Sequence, residues 1–460
     1  MQSHSISDID VGRVLKAASS QSQLEDAGMR RADTPGESVT ETHPLDRYVS
    51  VLDATLEYAR ERDYAGPDYG DGMSSKLLAA VPIENRWLNL AVQEVVKRAP
   101  MNVRPLLRVE HRRNYKGVAL FSMANLNYHV LSTTDRTPTP DFDPLVEAEH
   151  LVEWLLDEQC TGYSGFCGGH RHEIQHMHCK GVPNDADIVS TTYAVKALLR
   201  AARVDGGDQR YAAIARSATW FLIEDLNYRE VPEGAKIDYH MNHPEDSYTL
   251  NAAALGAQML VDLYEYFGDE QLRDRATKIL DHVAAQQTDL GGWPYRIPAD
   301  ASHLSMDNHH NGFIIESFQR YRDVIDADRY AETLDSALEF YRTELFEPNG
   351  APNFDERNAY PRDIHASTQG LLVFTREGDL EFAERILQWV LENLQVLEGQ
   401  FYYRKYRFHT KRVTLMRWCQ AWMAYALSEF LLASETPLEA ELDRSGRSRV
   451  DIGRSAPDDD

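Results

Sequence analysis

The feature that most constrains this chain is a repeat of amphipathic helical pairs. Apolar residues recur at three- and four-residue spacing in one segment after another, the signature of a helix that buries one face. This periodicity predicts helices at Val49–Ala59 and Trp87–Val96, followed by a run of pairs. Gly117–Leu131 pairs with Leu145–Leu156, Ile188–Ala202 with Tyr211–Leu226, and Tyr248–Phe267 with Leu272–Gln286. Gly312–Val324 pairs with Tyr330–Leu345, and Ile364–Phe374 with Leu380–Leu394. Leu415–Leu432 comes last and is free to pair with the first helix. Strand-like alternation is confined to Gln400–Phe408. The repeating unit, roughly 50 to 70 residues, is one helical hairpin, which cannot bury its apolar face alone and must stack on its neighbours. About six such hairpins whose ends meet give an all-α fold, an α/α toroid. An open solenoid is the alternative; it would bind a partner along a concave face.

The repeat occupies residues 43–435 as a single domain. Residues 1–42 and 436–460 are polar and acidic with little apolar periodicity, which predicts disordered tails. Gln286-Gln-Thr-Asp-Leu-Gly291-Gly292-Trp293-Pro-Tyr295 closes one hairpin. Its glycines suit a tight helix end and its Trp a plug between hairpins, a staple more than a chemical group. Asn393–Tyr402 stands at the matching place of a later hairpin.

Charge narrows the partners. The net charge is −25, and only ten of the 48 basic residues are lysine. An acidic, Lys-poor surface suits a protein that stays soluble in high salt. It offers no basic stripe for phosphates, so nucleic acid is excluded as a partner. No apolar run reaches the roughly 18 residues of a membrane span. The first twenty residues lack the charged and apolar regions of a secretory signal. Four cysteines in 460 residues are no disulfide framework. These features predict a cytoplasmic protein, at most one working at the inner membrane face.

Five motifs then occur in order between residues 105 and 434. They are Asn114-Tyr-Lys116-Gly running into Ala119-Leu-Phe, Tyr248-Thr-Leu-Asn251-Ala, Asp307-Asn-His-His310-Asn-Gly-Phe, Tyr360-Pro-Arg-Asp363-Ile-His365 and Met416-Arg417-Trp418-Cys-Gln420-Ala-Trp422-Met. Together they resemble the motifs of the VpsJ-like proteins encoded in polysaccharide-biosynthesis loci. With the acidic composition, the resemblance implies a haloarchaeal component of the N-glycosylation of a surface-layer glycoprotein. It also implies a six-hairpin glycosidase-like toroid with a task in glycan assembly. One departure stands out: where such proteins carry a Trp-Gly-Tyr-x-Phe-Asp-Trp-Gln segment, this chain has Gly165–Cys179, rich in His and Cys.

A sugar site needs one group that gives a proton and another that takes one, with pKa values pushed apart by their surroundings. Asp307, His310, Asp363 and His365 supply those types and open successive helices, so one rim of the ring should hold all four. The competing role for Asn311 and Asp363 is helix capping, and His309 reads as a supporting residue. Arg417, among aromatics, can clamp a carboxylate bidentately or pair with a structural acid. Trp418 and Trp422 can stack on a sugar ring or pack the core. Tyr403, beside Tyr402 and Arg404, forms a second aromatic-basic set. Asn114 and Asn251 can bond hydroxyls or cap helices, and Lys116 can meet an acidic group of the substrate or a neighbouring Asp. Gln420 joins the candidate sugar contacts through its motif. The segment Cys160–Cys179 holds zinc-type ligands, and His172-Glu-Ile-Gln-His176 spells His-Glu-x-x-His. That motif needs a helix, and the flanking glycines and Pro183 predict a loop instead. No metal and no cofactor is expected.

The leading expectation is an enzyme that isomerises, epimerises or hydrolyses a sugar, a uronic acid above all, of a precursor or lipid-linked oligosaccharide. A non-catalytic toroid that binds glycan or scaffolds membrane glycosyltransferases through transient contacts is the alternative.

Overall fold

The computed structural model describes residues 45–81, 85–133, 140–175, 180–204, 206–241, 247–397 and 399–444, with side chains as far as 435. The stretches expected to be tails therefore fall largely outside the described residues, although the final helix continues to Arg444.

Among the described residues, thirteen helices longer than two turns carry the architecture: α1 (Asp46–Arg60), α2 (Arg86–Arg98), α3 (Tyr115–Ser132), α4 (Pro144–Asp157), α5 (Ile188–Arg203), α6 (Gln209–Trp220), α7 (Leu250–Phe267), α8 (Glu270–Ala284), α9 (Asn308–Val324), α10 (Ala331–Glu344), α11 (Ile364–Glu377), α12 (Leu380–Asn393) and α13 (Trp422–Arg444). The odd-numbered helices from α3 to α13 form an inner ring, each packed on the next, and α13 returns to pack on α3. The even-numbered helices α4 to α12 lie outside their partners, and α1 takes that place beside α13. The chain is thus a closed α/α toroid, not an open solenoid.

Sequence explains the two layers. Inner helices are buried all round; every residue of α7 from Leu250 to Leu263 is buried. Outer helices bury one stripe, as α8 does with Leu272, Ala276, Ile279, Leu280 and Val283. Inner-to-outer turns are short, and the long connections run from each outer helix to the next inner one. All the long loops, with their two- and three-residue strand pairs, therefore gather at the N-terminal rim of the inner ring. One sheet pairs Arg362–Asp363 with Arg404–Lys405, and the latter with Thr410–Lys411. Another pairs Tyr248–Thr249 with Arg296–Ile297.

The Gly-Gly-Trp turn is a staple. Gly291 has φ +93°, and a Cβ on Gly292 would meet the Phe340 ring at 2.3 Å. Trp293 is fully buried, donates Nε1–H to the Val283 carbonyl at 2.9 Å and stacks on Phe318. Among the described residues, no helix is long and apolar enough to cross a membrane.

Candidate active site at the N-terminal rim

The site begins as a set of helix caps. Asn114 accepts from Gly117 N–H (3.1 Å), Asp187 from Ser190 N–H (2.7 Å), Asp307 from His310 N–H (3.3 Å) and Asp363 from His365 N–H (2.9 Å). A short polar side chain before each of these four inner helices satisfies an orphan N–H and offsets the positive end of the helix. Because the inner helices share one direction, the caps converge at one mouth.

α9 starts at Asn308, four residues ahead of the apolar run, so His309 and His310 stand on its first turn. Both imidazoles address Asp307: His310 Nδ1 lies 2.8 Å from its carboxylate and His309 Nδ1 3.2 Å. Burial pushes the Asp307 carboxyl up, but the two histidines outweigh it and hold the pKa below the ordinary range. Burial, then His310, drives the pKa of His309 well down. His310 Nδ1 lies within hydrogen-bond distance of both Asp307 oxygens, at 2.9 and 2.8 Å, which fixes the orientation of the ring.

A continuous wall of rings leads inward. Tyr295 lies 4.4 Å from His310 and His309 stacks on His365 at 4.7 Å. His365 lies 4.5 Å from both Trp418 and Trp422, and Trp422 packs on Tyr193 and Phe313. His365 is 1% exposed, and neither ring nitrogen has a hydrogen-bond partner. Burial and then the nearby His309 lower its pKa well below the usual imidazole value, so the ring is neutral. Tyr193 Oη, Trp422 Nε1 and Asn251 Oδ1 are also buried without partners.

Lys116 adds a cation to this apolar wall. Its Nζ stands 5.7 Å from the Trp422 ring, 5.9 Å from Tyr193 and 6.0 Å from Phe313. Burial first, and Arg417 second, bring its pKa down to about 7. Asp187, the cap of α5, has His170 Nε2 at 3.9 Å.

Other expected site residues are spoken for. Both oxygens of Asp363 are engaged: Oδ2 accepts from Arg404 Nε (2.6 Å), and Oδ1 from Trp418 Nε1 (2.9 Å) as well as the cap. Arg417 pairs with Asp68 at 3.0 Å, and Asp68 also accepts from Asn114 at 2.7 Å. Gln420 spends its amide on the backbone of Gly399 and Phe401. Tyr403 is buried behind Tyr69 and Trp418 with its hydroxyl unpartnered. Met416–Ala421 forms a wide π-helical turn, a local device common at functional sites, from which Arg417 and Trp418 reach the mouth.

Asp68 and Asp187 carry no mark in the sequence reading, and His170 enters it only among the zinc-type ligands of the His/Cys segment. Asp187 immediately precedes an apolar helix, as Asp307 and Asp363 do, and that pattern was available. Asp68 lies in a glycine-rich turn 349 residues from Arg417, and nothing local signals the pair. Over residues 160–175, the described part of the His/Cys segment, the chain forms no helix. His172 Nδ1 bonds Ser74 Oγ at 2.7 Å, Ile174–Gln175 form a strand, and Cys160 and Cys167 are buried thiols. His176, His178 and Cys179 lie outside the described residues. Asp307, His309 and His310 bring a carboxylate oxygen and two imidazole nitrogens within 4.8 Å of one another, a donor set chemically suited to a divalent cation.

No family model matches the sequence, and no curated protein matches it. Solved structures do. A sugar epimerase from a ruminal bacterium superposes with a TM-score of 0.53 at 16% identity, over 71% of this chain and 90% of that one. Cellobiose 2-epimerase from Bacillus thermoamylovorans gives 0.53 at 15% identity, over 71% and 90%. A GH76 α-mannanase from Bacteroides thetaiotaomicron gives 0.53 at 14% identity, over 71% and 88%. At such identities the shared property is the fold.

Proposed function

We propose that this chain is a sugar-processing enzyme that isomerises or epimerises a uronic acid of a precursor glycan during N-glycan assembly, using imidazoles held at the N-terminal rim. The observation that carries the reading is the Asp307–His310 pair and the partnerless His365 on either side of the His309 ring, which lies 3.9 Å from His310 and 4.7 Å from His365. Isomerisation needs a base that takes a proton from a sugar carbon and an acid that returns one. The neutral His365 is assigned as the base that takes the proton from carbon, and His310, held against the Asp307 carboxylate, as the acid that supplies one. Asp363 positions them, by capping α11 and holding the Trp418 ring. Hydrolysis through two carboxylates needs one carboxyl protonated and one free. It fits less well, since Asp307 sits against two imidazoles and Asp363 against Arg404. The sugar faces assigned to stacking are Trp418 and Trp422, with Asn251 for a hydroxyl.

The uronic acid follows from Lys116, a cation in an aromatic wall without an ion-pair partner among the described residues, assigned here to the sugar carboxylate. Arg417, already paired with Asp68, lines the same wall. The setting in surface-layer N-glycosylation, at the inner membrane face beside membrane glycosyltransferases, rests on the motif resemblance.

The test is mass spectrometry of lipid-linked and protein-linked glycans from cells lacking this protein, complemented with wild type, Asp307→Ala, His310→Ala or Asp363→Ala. Loss of isomerisation leaves an isobaric but altered glycan. Full restoration by variants shown to fold removes catalysis from this rim, and leaves the glycan-binding scaffold as the surviving role. Binding of free glucuronate supplies the pH arm. The anion needs Lys116 protonated, so affinity should weaken as pH rises through about 7, and the dependence should vanish in Lys116→Met.

A further inference from the structure

α2 is built inside out. Its buried side chains are Asn89, Gln93 and Val96. Asn89 donates to the Gln175 side-chain oxygen at 3.1 Å, and Gln93 exchanges hydrogen bonds with the Gln175 backbone at 3.3 and 3.1 Å. The opposite stripe, Trp87, Ala91 and Val95 at four-residue spacing with Leu88 beside it, faces outward. Trp87 is 60% exposed and Val95 54%. A surface helix of a globular protein ordinarily does the reverse. The turn at Lys76–Ala79 packs on the turn at Arg104–Leu107, and these add exposed Leu77 and Leu106.

Charge points to what covers this face. Residues 76–113 carry eight Lys or Arg against three Asp or Glu, in a chain whose net charge is −25. Of the eight, Lys76, Arg86, Arg98 and Arg108 are exposed, Arg98 paired with Glu94, while Arg104 is buried against Asp71. An open aromatic and aliphatic stripe flanked by cations is the composition of a helix that lies in the headgroup region of a bilayer. A second copy of the chain fits less well, because it would bring two basic faces together.

We propose that α2 and its flanking turns dock this protein on a membrane surface containing anionic lipids. The apolar stripe enters the headgroup boundary and the cations meet the lipid phosphates. Residues 61–75, which lead from α1 into the turn at Lys76–Ala79, supply Asp68 and Tyr69 to the wall of the rim site, so docking brings that mouth close to a sugar carried on a lipid. The inference stands on α2 and its surroundings and is independent of the chemistry at the rim.

The experiment is flotation of the full chain with phosphatidylcholine vesicles containing about one third phosphatidylglycerol, in buffer where circular dichroism shows it folded. Wild type is expected to float. Trp87→Ser with Val95→Ser should weaken association at least about tenfold with an unchanged helical signal, and Arg86→Glu with Arg98→Glu should weaken it too. Absence of flotation by wild type, or equal flotation by both double variants, overturns the proposal. So does light scattering that shows a wild-type dimer converted to monomer by the apolar double variant, which would make the face an interface between copies.

Discussion

A buried imidazole without a hydrogen-bond partner lowers stability, because it has left water and received nothing in return, at about 1–3 kcal/mol per unsatisfied group. His365 carries two such nitrogens. His365→Phe keeps the ring contacts and removes both polar atoms, so its unfolding midpoint in denaturant should equal or exceed that of wild type. Turnover of the glycan should fall by at least about a hundredfold if the ring moves a proton. A purely structural histidine would leave turnover near wild type. Residue types at this site were largely legible: Asp307, His310, His365, Lys116, Trp418 and Trp422 meet at one mouth. What sequence could not settle was which polar groups were already satisfied. Asp363 and Arg417 read as free chemistry, and packing gives them Arg404 and Asp68.

Helix existence followed from periodicity, and each expected pair is present in the structure. Boundaries moved where short polar residues open a helix. The cap at Asp307 lets α9 start four residues early, converting an apparent turn into the platform for His309 and His310. The hairpin staple is the element most exposed to test. Trp293 fills the space between α8 and α9 and also binds Asn311 through its backbone N–H at 2.8 Å. Trp293→Ala should destabilise the fold by about 3–5 kcal/mol, read as a lower midpoint in denaturant with an unchanged slope. A shift under about 1 kcal/mol would show that the neighbouring hairpins collapse onto the gap. α2 was read as one more helix, and its inversion was not noticed. Its buried polar residues, Asn89 and Gln93, find partners in the distant Gln175 strand, so the local pattern hides which face is outside.

At the scale of the whole molecule, a net charge of −25 disfavours the compact state through self-repulsion, which salt screens. The thermal midpoint should rise as sodium chloride goes from about 0.1 M to about 1 M. A flat or falling profile, followed by circular dichroism, would show that the surface ion pairs outweigh that repulsion.

Sequence by itself determined that helical hairpins repeat, that their apolar faces need neighbours, and that polar residues open successive inner helices, because all three are periodic and local. Only the tertiary structure decided that the ring closes, since that depends on α13 reaching α3 and α1 across the length of the chain. It alone decided that Arg417 is paired with Asp68, 349 residues away, and Asp363 with Arg404. And it alone turned a row of capped helix starts into a single mouth, because one shared helix direction, which no local window reports, brings Asp307, His310 and His365 together.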